Sequence, residues 1–301
     1  MADAPLPGGP MSSQVPVHIE ARLRQIGRVI ALAPTAALYE PLQQREPYPG
    51  VQVTRDQRYG GDARHLLDVF RPDSIAAPLP VLVFVHGGGF TGGERRAEDS
   101  PFYDNVMLWA ARNGIVGVNM TYRLAPQHGW PAAQQDIGAA LGWVRQNIAG
   151  HGGDPARVFL MGHSAGAAHV AQYVGHPQFH PAPQGALAGA IMVSGVFDTT
   201  TAEASASLQS YFGSDASVYP QRSALPGMLA SKLPMLLAYA ELDPPDFHAQ
   251  SQQAHVALCA AGPCPPPLLL MGHSHMSEVY SINTPDQALG DALRSFVYPP
   301  R

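Results

Sequence analysis

Six short and largely apolar runs follow one another after Pro78, and they constrain the fold more than any other feature. These runs are residues 81–85, 115–120, 158–161, 190–193, 235–240 and 268–271. Strands that are apolar on nearly every residue are covered on both faces, which is typical of a parallel sheet. Helical spacing over residues 101–112 and 132–148 lies between such runs, so strands and helices alternate. The pattern predicts a doubly wound, mostly parallel α/β sheet.

The segment before these runs predicts a hairpin and a helix. Residues 51–54 alternate in polarity, as does the run to residues 66–70, and the turn-forming sequence Y-G-G-D separates them. This pattern favours an antiparallel hairpin. Residues 18–32 have helical spacing, and we expect Pro34 to end that helix.

The length and composition predict one domain. The chain has 301 residues, of which 46% are hydrophobic, and nothing in it requires a second domain. Residues 1–16 are rich in Pro, Gly, Ala and Ser, so we expect a disordered leader followed by a single domain over residues 17–301. Residues from about 18 to 40 and from about 199 to 232 are predicted to form cap elements, the second as an excursion over the site.

Charge and hydropathy exclude several classes of partner. The net charge is −5 and the longest basic run is Arg95–Arg96, so nucleic-acid binding is not expected. No stretch of about 18 residues is continuously apolar, which argues against a membrane span. The first residues lack a basic region followed by an apolar region, so we expect no signal peptide and a cytoplasmic location. The oligomeric state is not predicted.

Residue usage also limits the chemistry. Lys232 is the single lysine and lies in no recognisable motif, which excludes Schiff-base, P-loop and S-x-x-K chemistry. Cys259 and Cys264 are five apart in a Pro-rich segment, and we expect free thiols. The 13 histidines include no H-E-x-x-H pattern. No metal and no cofactor is therefore predicted.

A strand, a G-x-S-x-G turn and a helix of small residues meet at residues 162–166, G-H-S-A-G. The apolar run 158–161 precedes the turn, and the stretch 165–171 after it can continue as a helix. This order is the nucleophile elbow, in which a strained turn exposes a serine hydroxyl, here that of Ser164. The glycines at both ends leave space between the closely packed strand and helix. The sequence therefore predicts a serine nucleophile.

A serine nucleophile needs a neighbouring base, and the base needs an acid that orients it. In this fold both follow the serine, the acid before the histidine, each just beyond a later strand. The sequence E-L-D-P follows the run 235–240. Asp243 is the predicted acid because it lies deeper in the loop and Pro244 fixes it. Glu241 is the alternative, and Asp246 is less favoured.

The base is predicted after the last apolar run. Residues 272–277, G-H-S-H-M-S, follow the run 268–271 and contain two histidines. His273 and His275 compete for the role of base, and the one not used is expected to pack in the loop.

A glycine-rich loop supplies a candidate oxyanion hole. Residues 86–89, H-G-G-G, follow the run 81–85, where the oxyanion loop of this fold lies. Glycine lets backbone N–H groups point at a developing negative charge without obstruction by a Cβ atom. Gly88, Gly89 and the N–H of Ala165 are the predicted donors.

These motifs resemble a known family. The H-G-G-G loop, the G-H-S-A-G turn, Asp243 and His275 are similar to the α/β-hydrolase carboxylesterases related to hormone-sensitive lipase. The sequence Y-R-L-A-P at residues 122–126 also matches that family. The ending G-H-S-H, with Y-G and L-D-V-F-R-P near the start, resembles the feruloyl-esterase-like and arylformamidase-like branch. In that branch the second histidine is the base, which implies His275.

The resemblance covers residues from about 48 to the end and implies an α/β-hydrolase fold with an N-terminal hairpin and a small cap. The expected activity is hydrolysis of a small-molecule carboxylic ester through an acyl-enzyme, with short-chain or small aromatic esters preferred because the predicted cap is mostly polar. An arylformamidase or amidase using the same triad is the alternative. A non-catalytic binding homologue is disfavoured because every triad position is filled.

Overall fold

An eight-stranded sheet forms the centre of the computed structural model, which describes residues 13–180, 187–262, 264 and 267–299. The strands are β1 (Val51–Arg58), β2 (Leu66–Pro72), β3 (Leu79–Val85), β4 (Val116–Met120), β5 (Gly153–His163), β6 (Gly189–Val193), β7 (Met235–Leu242) and β8 (Leu268–Ser274). Their order across the sheet is β1-β2-β4-β3-β5-β6-β7-β8. Strands β3 to β8 pair in parallel, as the apolar runs predict. The doubly wound fold is confirmed.

The predicted hairpin is also confirmed. Strands β1 and β2 pair antiparallel, with Val53 opposite Phe70, and the register shifts between Thr54 and Gln57. Strand β2 then pairs antiparallel with β4, and this pairing joins the hairpin to the parallel part of the sheet.

Helices cover both faces of the sheet. They are α1 (Val17–Ile26), α2 (Leu32–Tyr39), α3 (Asp104–Arg112), α4 (Ala132–Asn147), α5 (Ala165–Gly175), α6 (Ala206–Phe212), α7 (Tyr219–Arg222), α8 (Leu225–Ala230), α9 (Pro245–Ala261), α10 (Ser277–Tyr280) and α11 (Ala288–Val297). Along β3, Val83 and Val85 belong to the core layer shared with α4, α5, α8 and α9. Leu82 and Phe84 belong to the opposite layer, shared with α1, α3 and α11. Coverage of both faces explains why this strand is wholly apolar.

The first helix ends earlier than the sequence predicts. It stops at Ile26 because Gly27 takes a φ of 84°, a conformation that favours glycine. The expectation that Pro34 ends this helix was wrong. Pro34 lies in the first turn of α2, where a missing backbone N–H costs no intrahelical hydrogen bond.

Two further expectations concern the chain termini and the cysteines. Residues 1–12 of the predicted leader lie outside the described residues, whereas Val15 is buried in the core. The prediction of free thiols was wrong, since Cys259 and Cys264 form a disulfide. Helix α9 ends between them and the chain turns at Gly262, which brings the two Cα atoms within 4.1 Å.

Among the described residues, no helix has the length and apolar character needed to span a membrane.

Candidate active site

The C-terminal ends of four neighbouring strands deliver the polar residues of the site. Ser164 follows β5, Ser194 follows β6, Asp243 follows β7 and His275 follows β8. These strands are adjacent and parallel, so their C-terminal ends meet at one edge of the sheet. All four side chains are buried or nearly so.

The turn at Ser164 has the backbone geometry of a nucleophile elbow. Ser164 has a φ of 57° and a ψ of −122°, and its N–H donates to the carbonyl of Val193 at 2.9 Å. A Cβ atom on Gly162 would lie 2.2 Å from the Gly166 carbonyl oxygen, and one on Gly166 would lie 2.1 Å from that of Val85. The two glycines are therefore required by the close contact of strand and helix.

Ser164, His275 and Asp243 form one continuous hydrogen-bonded chain. The Ser164 Oγ atom lies 2.8 Å from His275 Nε2, and His275 Nδ1 lies 2.7 Å from Asp243 Oδ1. Because a carboxylate only accepts hydrogen bonds, Nδ1 carries the proton and Nε2 is free to accept the serine proton. The structure thus brings together the three residues that the sequence predicts as nucleophile, base and acid.

Asp243 is held as a carboxylate by its neighbours. Its Oδ2 atom accepts the Ser194 hydroxyl at 2.5 Å and the Ala240 N–H at 2.8 Å. Burial alone would raise the pKa of Asp243, but the hydrogen bond and charge of His275, then the Ser194 and Ala240 donors, lower it below its usual value. Arg28 Nε donates to the backbone carbonyl of Asp243 at 2.7 Å and ties α1's end to this loop.

The glycine loop presents backbone donors beside Ser164. Gly88 and Gly89 have φ values of 135° and 59°, and a Cβ atom on Gly88 would lie 2.1 Å from the Gly92 carbonyl oxygen. Among the described residues, no acceptor takes the N–H of Gly88 or of Gly89. The N–H of Ala165 is the first of α5 and has no intrahelical acceptor. All three residues line the cavity that contains Ser164.

His86 and Tyr122 hold this loop. His86 is fully buried, and its Nδ1 donates to the Gly87 carbonyl at 2.7 Å. Burial lowers the pKa of His86 to about 3, so the ring is neutral. The Tyr122 hydroxyl donates to the His86 carbonyl at 2.9 Å, and the two rings stack with centroids 4.4 Å apart. His86 thus supports the loop.

The alternatives to the acid and the base lie elsewhere. His273 Nε2 is 3.1 Å from Asp286 Oδ2, outside the contact with Ser164. Glu241 forms an ion pair with Arg24 at 2.9 Å and accepts the Gly272 N–H at 2.8 Å.

Asp246 is the remaining alternative, and it lines the cavity. Burial, with a smaller contribution from the charge of Glu203, raises its pKa. The structure gives it no contact with either histidine.

A cavity of about 790 Å³ opens on Ser164. Its apolar wall comes from separate segments, among them Ile30, Phe102, Leu208 and Phe247. Residues 203–205, 207 and 208 of the predicted excursion line one side of it. The larger apolar side chains that follow in that excursion, Tyr211 and Phe212, are instead buried against Phe90.

The sequence patterns do not identify Ser194, His163 and Glu278 as residues of the site. Ser194 has a weak signal in the sequence, because it directly follows the apolar run 190–193 and so lies at the same sheet edge as Ser164. His163 is the variable position of the elbow, and its Nε2 donates to the His275 carbonyl at 2.8 Å. Glu278 lies three residues after His275 and is fully buried.

Two groups of possible metal ligands occur among the described residues. The first is His255, Cys259 and Cys264, whose two sulfur atoms are joined in the disulfide. The second is His163, His275 and Glu278. In that group both ring nitrogens of His275 are engaged, by Asp243 and by Ser164, so a metal ion would have to replace one of these contacts.

Comparison with known proteins assigns the fold and the domain. Residues 65–213 match the carboxylesterase family. The chain has the α/β-hydrolase fold, and about half of it matches the carboxylesterase family. The matched segment contains the glycine loop and the elbow, and it ends before Asp243 and His275.

Two relatives of known sequence are named as esterases. The chain is 37% identical to the para-nitrobenzyl esterase of Bacillus subtilis over 48% of this chain and 30% of that protein. It is 27% identical to esterase LipQ of Mycobacterium tuberculosis over 81% of this chain and 62% of that protein. The chain thus spans about a third to three fifths of the length of these relatives.

Solved structures share the whole architecture. Esterase B from Lactobacillus rhamnosis, in a complex with an inhibitor, superposes with a TM-score of 0.72 at 21% identity, over 93% of this chain and 96% of that chain. An esterase from Pyrobaculum calidifontis gives a TM-score of 0.66 at 23% identity, over 84% and 86%. At this identity the likeness shows the α/β-hydrolase fold.

Proposed function

We propose that this protein is a serine carboxylesterase that hydrolyses small-molecule carboxylic esters through an acyl-enzyme. The observation that carries the proposal is the chain of contacts from Ser164 through His275 to Asp243, at 2.8 Å and 2.7 Å. The carboxylesterase family domain and the esterase relatives support the same reaction class.

The first half of the reaction forms the acyl-enzyme. Ser164 Oγ attacks the ester carbonyl carbon while His275 Nε2 takes the hydroxyl proton, and the carbonyl oxygen becomes an oxyanion. The N–H groups of Gly88, Gly89 and Ala165 stabilise that charge. Collapse of the intermediate breaks the ester C–O bond, and His275 gives its proton to the leaving alkoxide.

The second half regenerates the serine. His275 removes a proton from a water molecule, the resulting hydroxide attacks the acyl carbon, and Ser164 leaves with the proton that the imidazolium returns. Asp243 remains ionised throughout, because its hydrogen bonds hold its pKa low, and it stabilises the positive charge on His275 in both halves.

The lining of the cavity supports a proposal for the substrate class. Apolar and aromatic side chains line its wall. Its exposed lining residues are the apolar Ile30 and Leu32 on one side and, among others, the charged Glu94, Arg96 and Glu203. The apolar residues Tyr211 and Phe212 pack into the core instead of the cavity. A long acyl tail that leaves the cavity would therefore meet charged groups, so we propose short-chain or small aromatic esters as substrates.

A panel of 4-nitrophenyl esters from acetate to palmitate, with a feruloyl ester and N-formylkynurenine, tests this assignment. The Ser164→Ala protein is the matched control. We expect turnover of acetate and butyrate that depends on Ser164. A palmitoyl ester hydrolysed faster than the butyryl ester, with both in solution, would contradict the substrate class. Formamide turnover far above ester turnover would contradict the reaction class.

A further inference from the structure

A second buried acid–imidazole pair lies directly behind the base. His163 and Glu278 are both fully buried, and His163 Nε2 lies 3.2 Å from Glu278 Oε1. The His163 ring centroid is 4.9 Å from that of His275. The reaction steps derived above use neither residue.

His163 holds the backbone of the base. Its Nε2 lies 2.8 Å from the carbonyl oxygen of His275, and a carbonyl oxygen can only accept. The ring therefore carries its proton on Nε2 and donates to His275. Burial, followed by the charge of His275, lowers the pKa of His163 to about 3, so the ring stays neutral.

The pair leaves polar atoms without hydrogen bonds. Within the described part of the chain, the two carboxyl oxygens of Glu278 and the Nδ1 atom of His163 make no hydrogen bond of normal geometry. The polar groups near Glu278 are His163 Nε2, 3.2 Å from Oε1, and the Ser194 hydroxyl, which lowers the pKa of Glu278 against the larger effect of burial. Buried polar atoms of this kind destabilise a fold, and an apolar pair of the same size would avoid the penalty. Their position against the base points to a functional role.

We propose that His163 and Glu278 are positioning residues of the active site, which hold the His275 carbonyl and thereby aim the imidazole at Ser164. This proposal rests on the proposed function. Glu278 lies against the Nε2 edge of the His163 ring. It therefore restricts rotation of the ring about the Cβ–Cγ bond. The hydrogen bond from His163 in turn fixes the His275 carbonyl, just before α10 begins.

The charge state of Glu278 fits this role. Burial, and then the negative charge of Asp243, raises the pKa of Glu278 well above its usual value. The other titratable groups at this position are His163, which is neutral, and His275, within 4.8 Å. Helix α2 packs against the α10 turn and brings Tyr39, whose pKa burial also raises. Burial thus favours the uncharged form of Glu278, which adds no second negative charge beside Asp243.

Kinetics of matched variants test the proposal. Methionine removes the polar atoms at similar volume, whereas glutamine keeps an uncharged polar group. With 4-nitrophenyl butyrate, we expect Glu278→Met and His163→Met to lower kcat about 10- to 100-fold, because small misplacements of a catalytic group have effects of this size. KM should change by less than about twofold. Glu278→Gln and His163→Gln should recover most of the lost kcat.

Two further readouts separate positioning from a structural role. The kcat of the double Met variant should lie within about threefold of the kcat of the less active single Met variant, since both residues act through one carbonyl. Glu278→Gln should leave the midpoint of the acidic limb of kcat/KM unchanged. A midpoint that moves to lower pH would show a charged Glu278 acting on the imidazole, and it would overturn the positioning role, as would additive Met variants.

Labelling with a fluorophosphonate distinguishes failure of this proposal from failure of the proposed function. If native Ser164 is not labelled, the esterase assignment fails. If native Ser164 is labelled and both Met variants react at the native rate, only the positioning role fails. Should the His163 variants not fold, the Glu278→Met and Glu278→Gln pair decides the question by the same comparison of labelling rates.

Discussion

Two histidines that lie two residues apart near the end of β8 each pair with a carboxylate. The contrast between the two pairs shows which features distinguish a catalytic base from a structural histidine. His275 pairs with Asp243 at 2.7 Å, and His273 pairs with Asp286 at 3.1 Å. All four side chains are buried. In both pairs burial would raise the carboxyl pKa, and the neighbouring imidazole lowers it below the usual value.

The pairs differ in what the second ring nitrogen contacts. His275 Nε2 faces Ser164, which has a strained backbone and lines the cavity. His273 Nδ1 faces the Ser277 hydroxyl at 3.2 Å, and that hydroxyl also accepts the Ser274 N–H and so braces the turn. Burial and a carboxylate partner therefore do not identify a base. Contact with a serine that lines a cavity identifies it.

The largest effect is expected at the nucleophile. Ser164→Ala should lower kcat/KM for 4-nitrophenyl butyrate by about 10⁴- to 10⁶-fold, since triad members act as a unit. The elbow backbone is retained, so the melting temperature should change little. If Ser164→Ala retained a tenth of the native rate, Ser164 would not be the nucleophile, and the His275–Asp243 pair would not differ in function from the His273–Asp286 pair.

The two histidines should then separate by activity and stability. His275→Ala should lose nearly as much activity as Ser164→Ala because the serine proton has no acceptor. His273→Ala should retain activity within about tenfold and lose about 1–3 kcal/mol of unfolding free energy, since it leaves Asp286 unpaired. Steady-state kinetics with thermal melts of both variants measure this contrast, and an inactive, stable His273→Ala would reverse the assignment.

The acids should follow the histidines. Asp243→Asn should lower kcat by up to about 10⁴-fold, because an amide in place of the carboxylate favours the wrong tautomer of the base. Asp286→Asn and Glu241→Gln are matched controls at a buried and a half-exposed carboxylate, and each should keep most of the activity. A Glu241→Gln protein as impaired as Asp243→Asn would make Glu241 the acid.

The smallest effect is a pH dependence of stability at the non-catalytic pair. The pKa of Asp286 is lowered in the folded protein, so its carboxylate stabilises the fold above the unfolded value of about 3.9. That contribution is lost as the pH falls through the lower, folded pKa. Urea titrations of native protein and Asp286→Asn should therefore differ at pH 7 and converge below about pH 4. A constant difference across this range would show that the carboxylate charge contributes nothing.

Local sequence patterns were sufficient to predict the fold and the strand ends after which Ser164, Asp243 and the two candidate histidines lie. The apolar runs correctly predict strands that are covered on both faces, and the elbow glycines mark a contact that no Cβ atom can enter. The two competing histidines were separated only by a family resemblance, because H-S-H reads the same whichever ring meets Ser164. In the structure His273 is paired with Asp286, which lies 13 residues further along the chain, and His275 contacts Ser164.

Other features depend on contacts between distant segments. Ser194, His163 and Glu278 come together from β6, β5 and α10, and no local pattern marks their meeting point. The cavity wall combines side chains from several loops for the same reason. The disulfide depends on how the chain turns after α9, which the spacing of the two cysteines alone does not determine.

Peptide mapping after reaction with a fluorophosphonate tests the central claim most directly, because the reagent modifies only a serine that a base has activated. The native protein should carry one adduct, on the peptide containing Ser164. His275→Ala should be nearly unreactive, and His273→Ala should react at close to the native rate. A native protein without an adduct, or with an adduct that persists in His275→Ala, would contradict the account.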